Sequence, residues 1–404
     1  MNVLIADTFE PWGVDKLRDL GCKVVHEPAL EGNALREALG ASKCEVLIVR
    51  GTKVTEAMLE AAPELGLVVR AGAGFNTIDV AAASRRSILV ANCPGKNAVA
   101  VAELTFALIL GLDRRLVENV TDLRNGVWNK SEYSDASGLK GRTLGIAGLG
   151  QIGEAVARRA VAFEMNVVAW SRSLDDRRAA ELKVTRCGDA AEVAARCNIL
   201  TIHLAAAADT KHIINKQVLD RLAPGSYVIN TSRAEVVDYQ ALARAVAESK
   251  LRVGLDVYAT EPSAGQGAFL DPIIKAGGIV YGTHHIGAST DQAQEAIAQE
   301  TIRIVRTFRE TGKVLNCVNL RAQSAASCAL RVRHLNRPGV LAYVLHAVSM
   351  AGINVEEMEN VICEGDESAC AQIKLERPLA EETLRRIRQG SENVLAVTQS
   401  LSSE

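Results

Sequence analysis

The sequence predicts an α/β protein with two parallel-sheet domains and a small C-terminal α/β unit. Three observations lead there. Short β-branched or aliphatic runs at 3–6, 46–49, 67–69 and 89–91, and again at 143–147, 167–170, 199–203, 227–230, 253–257 and 279–281, alternate with longer helix-like segments. Strands alternating with helices imply parallel sheets covered on both faces. The glycine loop Gly148-Leu149-Gly150-Gln151-Ile152-Gly153 comes only after residue 147, so a complete α/β unit precedes it. From Ala329 the order changes to strand (329–333), helix (339–351), strand (353–361), strand (369–375), helix (380–388) and strand (394–401). The first two units therefore read as Rossmann-like or flavodoxin-like parallel-sheet domains, and the tail as a ferredoxin-like βαββαβ unit.

The connecting segments fit that plan. Residues 98–112 are expected to form a long buried helix leading from the first domain into the second, 138–142 a turn before the next strand, and 292–309 a helix able to pack back on the first domain. The expected domains are 1–97 with 287–315, then 98–286, and 328–404 after a polar linker at 316–327; the resemblances given below imply that they bind substrate, bind dinucleotide and regulate, respectively.

Composition narrows the function classes. At 404 residues the chain exceeds what one core usually organises. A net charge of -2, with no long run of one sign, argues against nucleic acid and anionic membranes as partners. The N-terminus lacks a basic region and meets Asp7 at once, unlike a signal peptide, and 98–112 is interrupted by Glu103 and is too short to span a bilayer. Nine scattered cysteines show no Cys-x-x-Cys and no Cys/His spacing for zinc, so a soluble cytoplasmic protein with reduced thiols and no metal is expected.

The glycine loop follows an apolar strand and opens a helix at 154–162. Gly148 permits the tight turn, Gly150 the close approach of a pyrophosphate, and Gly153 the contact of helix and sheet. Unpaired amides at the helix start face the phosphates. About 20 residues later an NAD enzyme usually carries Asp or Glu for the ribose. Here Trp170 is followed by Ser171-Arg172, a hydroxyl and a guanidinium suited to a 2′-phosphate, so the cofactor is NAD or NADP with a lean to NADP.

Three polar residues stand beyond later strand ends, where open α/β sheets bind ligands: Arg233 after 228–232, Glu261 closing 255–262, and His285 after 280–284. Hydride transfer between a secondary alcohol and a nicotinamide needs a base for the hydroxyl proton, a cation for the neighbouring carboxylate, and a group that orients the base. Histidine, arginine and glutamate meet those needs.

At these residues the chain resembles the D-isomer-specific 2-hydroxyacid dehydrogenases, and within them the D-3-phosphoglycerate dehydrogenase branch. The matching stretches are 49–55, 70–79, 92–97, the glycine loop, 230–237, 256–262 and 285–290, in the family's order over residues 1 to 315. The resemblance implies that Arg233 binds and polarises a 2-hydroxy or 2-keto acid, that His285 is the acid/base, and that Glu261 pairs with His285 and keeps it basic. It assigns Gly72, Ala73, Gly74 and Asn97 to the substrate and Arg50, Arg70 and Lys130 to a substrate phosphate. Gln151, Ile152, Leu204, Thr231, Ser232, Ala288 and Ala73 line the cofactor, and Asp256 positions its nicotinamide end. One departure is His284, where the family usually has proline.

The βαββαβ tail resembles an ACT domain through 334–341 and 351–355, which implies an amino-acid effector, serine, held by His334, Asn336 and Asn354. The same residues also make a good turn and helix start. The implied activity is NAD(P)-dependent oxidation of 3-phosphoglycerate to 3-phosphohydroxypyruvate in serine biosynthesis by a homodimer or homotetramer. A glyoxylate or hydroxypyruvate reductase is the alternative, and a dinucleotide-sensing corepressor a remote one.

Overall fold

A computed structural model describes residues 1–248, 250–262, 267–321 and 324–401. Residues 322–323 of the expected linker and 402–404 of the expected regulatory unit lie outside the described residues. The chain divides into two compact units, Met1–Asn319 and Leu320–Glu404.

The first unit holds two parallel sheets. In the first, β1 (Asn2–Ile5), β2 (Lys23–His26), β3 (Val46–Val49), β4 (Leu67–Arg70) and β5 (Leu89–Asn92) run in the order β2-β1-β3-β4-β5. This is the flavodoxin-like order. Successive side chains point to opposite faces, so Leu4, Leu47 and Val68 pack on Leu35, Leu39 and Leu59, while Val3, Ile5, Ile48 and Val69 pack on Val14 and Leu17. Strand β2 has only two aliphatic residues and lies at the sheet edge, half exposed, which is why no long apolar run marks it.

The helix Ala98–Arg114 leads into the second sheet, burying Ala102, Phe106, Ile109 and Leu112 against it. That sheet comprises β6 (Thr143–Ala147), β7 (Asn166–Trp170), β8 (Thr185–Arg186), β9 (Ile199–Ile202), β10 (Ser226–Asn230), β11 (Leu251–Leu255) and β12 (Val280–Gly282), in the order β12-β11-β10-β9-β6-β7-β8. Counted from β6 this is the Rossmann order with one strand added beyond the sixth. Strand β8 is two residues long and leaves no periodic trace in the sequence.

The helix Asp291–Thr311 then returns to the first sheet, where Ile297, Ile302, Ile304 and Val305 complete one of its two faces. Its Glu300 is buried and accepts from Arg303 Nε at 3.0 Å and from Asn316 Nδ2 at 2.7 Å, with Lys96 Nζ at 3.3 Å. The linker expected to begin at 316 starts later. Cys317 bridges Ala91, Val318 N donates to Val90 O, and Asn319 Oδ1 accepts from Val90 N, because the end of β5 offers free backbone groups that this segment satisfies.

The second unit comprises β13 (Cys328–Leu335), the helix Val340–Met350, β14 (Val355–Ile362), β15 (Ser368–Leu375), the helix Glu381–Gln389 and β16 (Val394–Leu401). Its antiparallel order β14-β15-β13-β16 is that of a ferredoxin-like unit, and Leu330, Val332, Val344, Val348, Ile373 and Ile387 form its core. Among the described residues no helix is long and apolar enough to cross a membrane.

Glu300 supports a stability prediction. The hydrogen bond from Arg303 above all, then that from Asn316 and the charge of Lys96, hold its carboxyl below the usual range against the opposing push of burial. A group with a lowered folded pKa stabilises fully above its unfolded value and loses that contribution as pH falls through the folded one. Glu300→Ala should cost about 1–3 kcal/mol at neutral pH in urea titrations, because buried donors lose their acceptor. The difference from the parent should shrink in acid; a difference that grows in acid would contradict the pairing.

Candidate active site

The glycine loop joins β6 to the helix Gln151–Ala162. Gly148 has φ +97°, and a Cβ there would fall 2.5 Å from the carbonyl oxygen of His203. A Cβ on Gly153 would fall 2.2 Å from the carbonyl oxygen of Gly148. The protein's own backbone therefore requires the first and third glycines. A Cβ on Gly150 would meet nothing within 4 Å. The space it faces, at a helix start whose first amides lack intrahelical partners, suits a dinucleotide pyrophosphate. Leu204 lies beside Gly148, while Gln151 reaches across to Gly95, where a Cβ would fall 1.3 Å from its Oε1.

Three strand ends carry the polar trio. After β10, Asn230 Oδ1 accepts from the Ser232 amide at 3.0 Å and from its hydroxyl at 2.8 Å, and Asn230 Nδ2 donates to Arg233 O at 2.9 Å. Thr231 meets Thr105 of the interdomain helix at 3.0 Å. This turn sends Arg233 toward the first domain, where a Cβ on Gly74 would fall 2.2 Å from its Nη2.

After β11, Glu261 Oε1 accepts from Tyr258 N at 2.8 Å and Glu261 Oε2 meets His285 Nδ1 at 2.7 Å. Burial pushes the Glu261 carboxyl up, but the hydrogen bonds from His285 and the Tyr258 amide, with the charges of His285 and Arg233, outweigh it and hold the group below the usual carboxylate range. His285 Nδ1 is thus committed to a carboxylate, which leaves Nε2 for proton transfer.

The first domain supplies the opposite wall. Arg70, at the end of β4, lies against Gly72, where a Cβ would fall 1.5 Å from its Nη1. Burial, then the charges of Arg233 and Arg50, push its pKa down to about 10. Arg50 faces a cavity of about 210 Å³ that Phe9, Ala71 and Gln294 also line. Arg70 Nε and Asn97 Oδ1 are buried with no hydrogen-bond partner among the described residues. Three guanidinium groups, one of them with its Nε unpaired, suit an anion.

A model of the D-isomer specific 2-hydroxyacid dehydrogenase NAD binding domain matches residues 106–287. A D-3-phosphoglycerate dehydrogenase of Methanocaldococcus jannaschii is 32% identical over 325 residues, covering 79% of this chain and 60% of that protein. A glyoxylate reductase of Thermococcus litoralis is 34% identical over 274 residues, covering 66% of this chain and 81% of that protein. This chain belongs to the D-isomer-specific 2-hydroxyacid dehydrogenase family. It spans about 60% of the length of the curated phosphoglycerate dehydrogenases it matches. The solved structure of an Aquifex aeolicus D-lactate dehydrogenase complexed with NAD and lactic acid superposes with a TM-score of 0.67 at 28% identity, covering 80% of this chain and all of that one.

Some of the site residues expected for this dehydrogenase family sit elsewhere. Lys130 lines a separate surface cavity of about 670 Å³ with Trp128 and Tyr133. Its segment is tied to the helix Leu116–Arg124 and its flank by Tyr133 to Asp122 at 2.6 Å and Arg115 to Glu132 at 2.7 Å, so within one chain it does not join Arg50 and Arg70. Asp256 is spent on the loop that carries His285, accepting from Thr283 Oγ1, Ile286 N and Gly287 N. His334 is buried, with Nδ1 at 2.8 Å from Leu335 O and Nε2 at 3.1 Å from Asn360 Oδ1, so neither ring nitrogen is turned to an effector. Asn336 donates to Asp366 O at 3.0 Å, and Asn354 Nδ2 lies 3.4 Å from Glu356 Oε1; both residues are exposed.

Other residues shape the site without having stood out in the sequence. Asp7 Oδ2 accepts from the amides of Arg50, Gly51 and Thr52 at 2.6, 3.1 and 3.1 Å. Asn92 Nδ2 donates to Ala73 O at 2.6 Å, and Gln294 Nε2 to Ala288 O at 2.7 Å. An acid just beyond a strand was the only available signal for Asp7. Replacing His285 by Gln should lower turnover about 100- to 10,000-fold while dinucleotide binding, followed by fluorescence quenching, stays near the parent value. Near-normal turnover would remove His285 from the role of base.

Proposed function

We propose that the chain is a nicotinamide-dependent dehydrogenase of phosphorylated D-2-hydroxy acids, interconverting 3-phosphoglycerate and 3-phosphohydroxypyruvate. The observation that carries this reading is the meeting of Arg70 and Arg233 at the loop Gly72–Gly74, with Arg50 near enough for its charge to lower the Arg70 pKa. One carboxylate offsets a single positive charge, whereas a carboxylate with a phosphate suits three cations.

In the oxidative direction the backbone of Gly72–Gly74 and Arg233 receive the substrate carboxylate, which brings the 2-hydroxyl to His285. Nε2 takes the hydroxyl proton while Glu261 keeps Nδ1–H oriented and balances the imidazolium that forms. The bound nicotinamide supplies a hydride acceptor, or a donor in reverse. Arg233 also polarises the carbonyl that develops. Asp256 and Asn230 hold the two loops in register. The ordered His285–Glu261 pair weighs against a purely dinucleotide-sensing corepressor.

Ser171-Arg172 favours a second reading, an NADP-dependent reductase of glyoxylate or hydroxypyruvate. Kinetics with a panel of 2-keto acids and both reduced cofactors separate the two. Under the favoured reading, Arg50→Ala should raise KM for 3-phosphohydroxypyruvate about 10- to 100-fold, since a charged hydrogen bond is lost. Glyoxylate reduction should change little. Equal effects on both substrates, or a parent enzyme that prefers glyoxylate, would support the reductase instead.

The C-terminal unit is read as an ACT module for serine, now resting on the exposed Asn336 and Asn354 since His334 faces inward. The helix Leu116–Arg124 has no buried residue and shows Leu116, Val117, Val120 and Leu123 to solvent, with Trp128 beside it, which supports a homodimer or homotetramer. Nine free cysteines, mostly buried, suit a cytoplasmic setting. Serine at 100 times its Kd should stabilise the folded state by about 2.7 kcal/mol in thermal unfolding, and Asn336→Ala should remove that gain. No change in melting or activity with serine would count against the effector site.

A further inference from the structure

The acid absent after β7 has a counterpart on another strand end. Arg172 Nη1 donates to Asp209 Oδ2, and both side chains are more than half exposed. Asp209 belongs to the loop that follows β9. In the sheet order β9 and β7 flank β6, the strand that feeds the glycine loop. The two loops therefore border the ground where the adenosine ribose of a dinucleotide held at residues 148–153 lies.

Both partners stand on built turns. The Thr210 hydroxyl accepts from Ala207 N at 2.8 Å and donates to Ala205 O at 2.7 Å, while Thr210 N donates to Ala207 O at 3.1 Å. Buried Thr210 thus anchors the position next to Asp209. On the other side, Leu174 N donates to Ser171 O at 3.2 Å and closes the turn that carries Arg172.

We propose that Asp209 is a specificity-determining residue for the dinucleotide, acting as the counter-ion that a ribose 2′-phosphate must displace from Arg172. Asp209 takes Arg172 through one Nη, and its negative charge repels a second anion brought to the same guanidinium, so carboxylate and phosphate compete for it. A free Arg172 would favour NADP outright. Paired with Asp209 it presents nearly neutral ground, which tolerates the uncharged 2′-hydroxyl of NAD. Because the pair is solvated, it is weak, and the competition grades the preference without making it absolute. The lean to NADP read from Ser171-Arg172 is thereby moderated by a residue 37 positions further along the chain. The inference rests on the reading that Arg172 faces the ribose.

Calorimetric binding of ADP-ribose and 2′-phospho-ADP-ribose to the full chain tests it without turnover. Asp209→Asn should tighten the 2′-phosphorylated ligand by roughly 3- to 10-fold and leave ADP-ribose within about twofold. Arg172→Gln should weaken the phosphorylated ligand, and in that background Asp209→Asn should have no further effect. Raising the salt should shrink the Asp209→Asn gain. If Arg172→Gln shifts the ratio but Asp209→Asn leaves it unchanged or lowers it, the counter-ion role is overturned while the ribose reading stands. If Arg172→Gln leaves the ratio unchanged, the ribose reading fails and takes the proposal with it.

Discussion

The buried carboxylate of Asp256 at the end of β11 is the contact on which the site most depends. It accepts from Thr283 Oγ1 at 2.6 Å and from the amides of Ile286 and Gly287, both at 2.8 Å. Between those donors lies His285, with φ +54°, a left-handed conformation that costs a non-glycine residue roughly 1–2 kcal/mol. The hydrogen bonds on either side offset that cost and aim the imidazole at Glu261. Gly287 permits the approach, since a Cβ there would fall 2.9 Å from Asp256 Oδ2. One carboxylate thus links a strand of the Rossmann sheet, His285, and the chain's return to the first domain.

Around that anchor the site is divided by charge. The second sheet contributes the His285–Glu261 pair and one cation, and the first contributes two cations with backbone amides. His203, close behind the glycine loop, stays neutral, its pKa lowered to about 3 by burial, and adds no charge near the pyrophosphate ground. Positive charge is concentrated at Arg50, Arg70 and Arg233, whereas the glycine loop offers mainly backbone dipoles.

What could be read in the sequence follows from how local each signal is. The glycine loop, Arg233, Glu261 and His285 stand immediately beyond apolar runs, so strand ends alone pointed to them. Asp7 was harder because it acts on amides more than 40 residues away. Nothing near Asn92 or Gln294 announces the carbonyls of Ala73 and Ala288 that they hold. The edge strands β2 and β8 escaped because an edge needs few apolar residues. The pairing of residues 316–319 with β5 escaped because it depends on backbone groups left free by a strand far back in the chain. Lys130 and His334 show the converse limit, in which a matching residue type does not determine where its side chain points.

The first sheet is completed by a helix encoded some 200 residues after β5, and this bears on how the chain acquires its structure. Val3, Ile5, Val46, Val69 and Ala91 share a cluster with Ile297, Ile302, Ile304 and Val305. A chain emerging from the ribosome therefore presents one apolar face of its first sheet only partly covered, by Val14 and Leu17, while the entire second sheet is synthesised. The N-terminal domain cannot finish first, as tandem domains usually do. The Rossmann domain, contiguous and with both faces covered by its own helices, is able to fold on its own segment and bring the two halves of the first domain together, shortening the loop that would otherwise have to close.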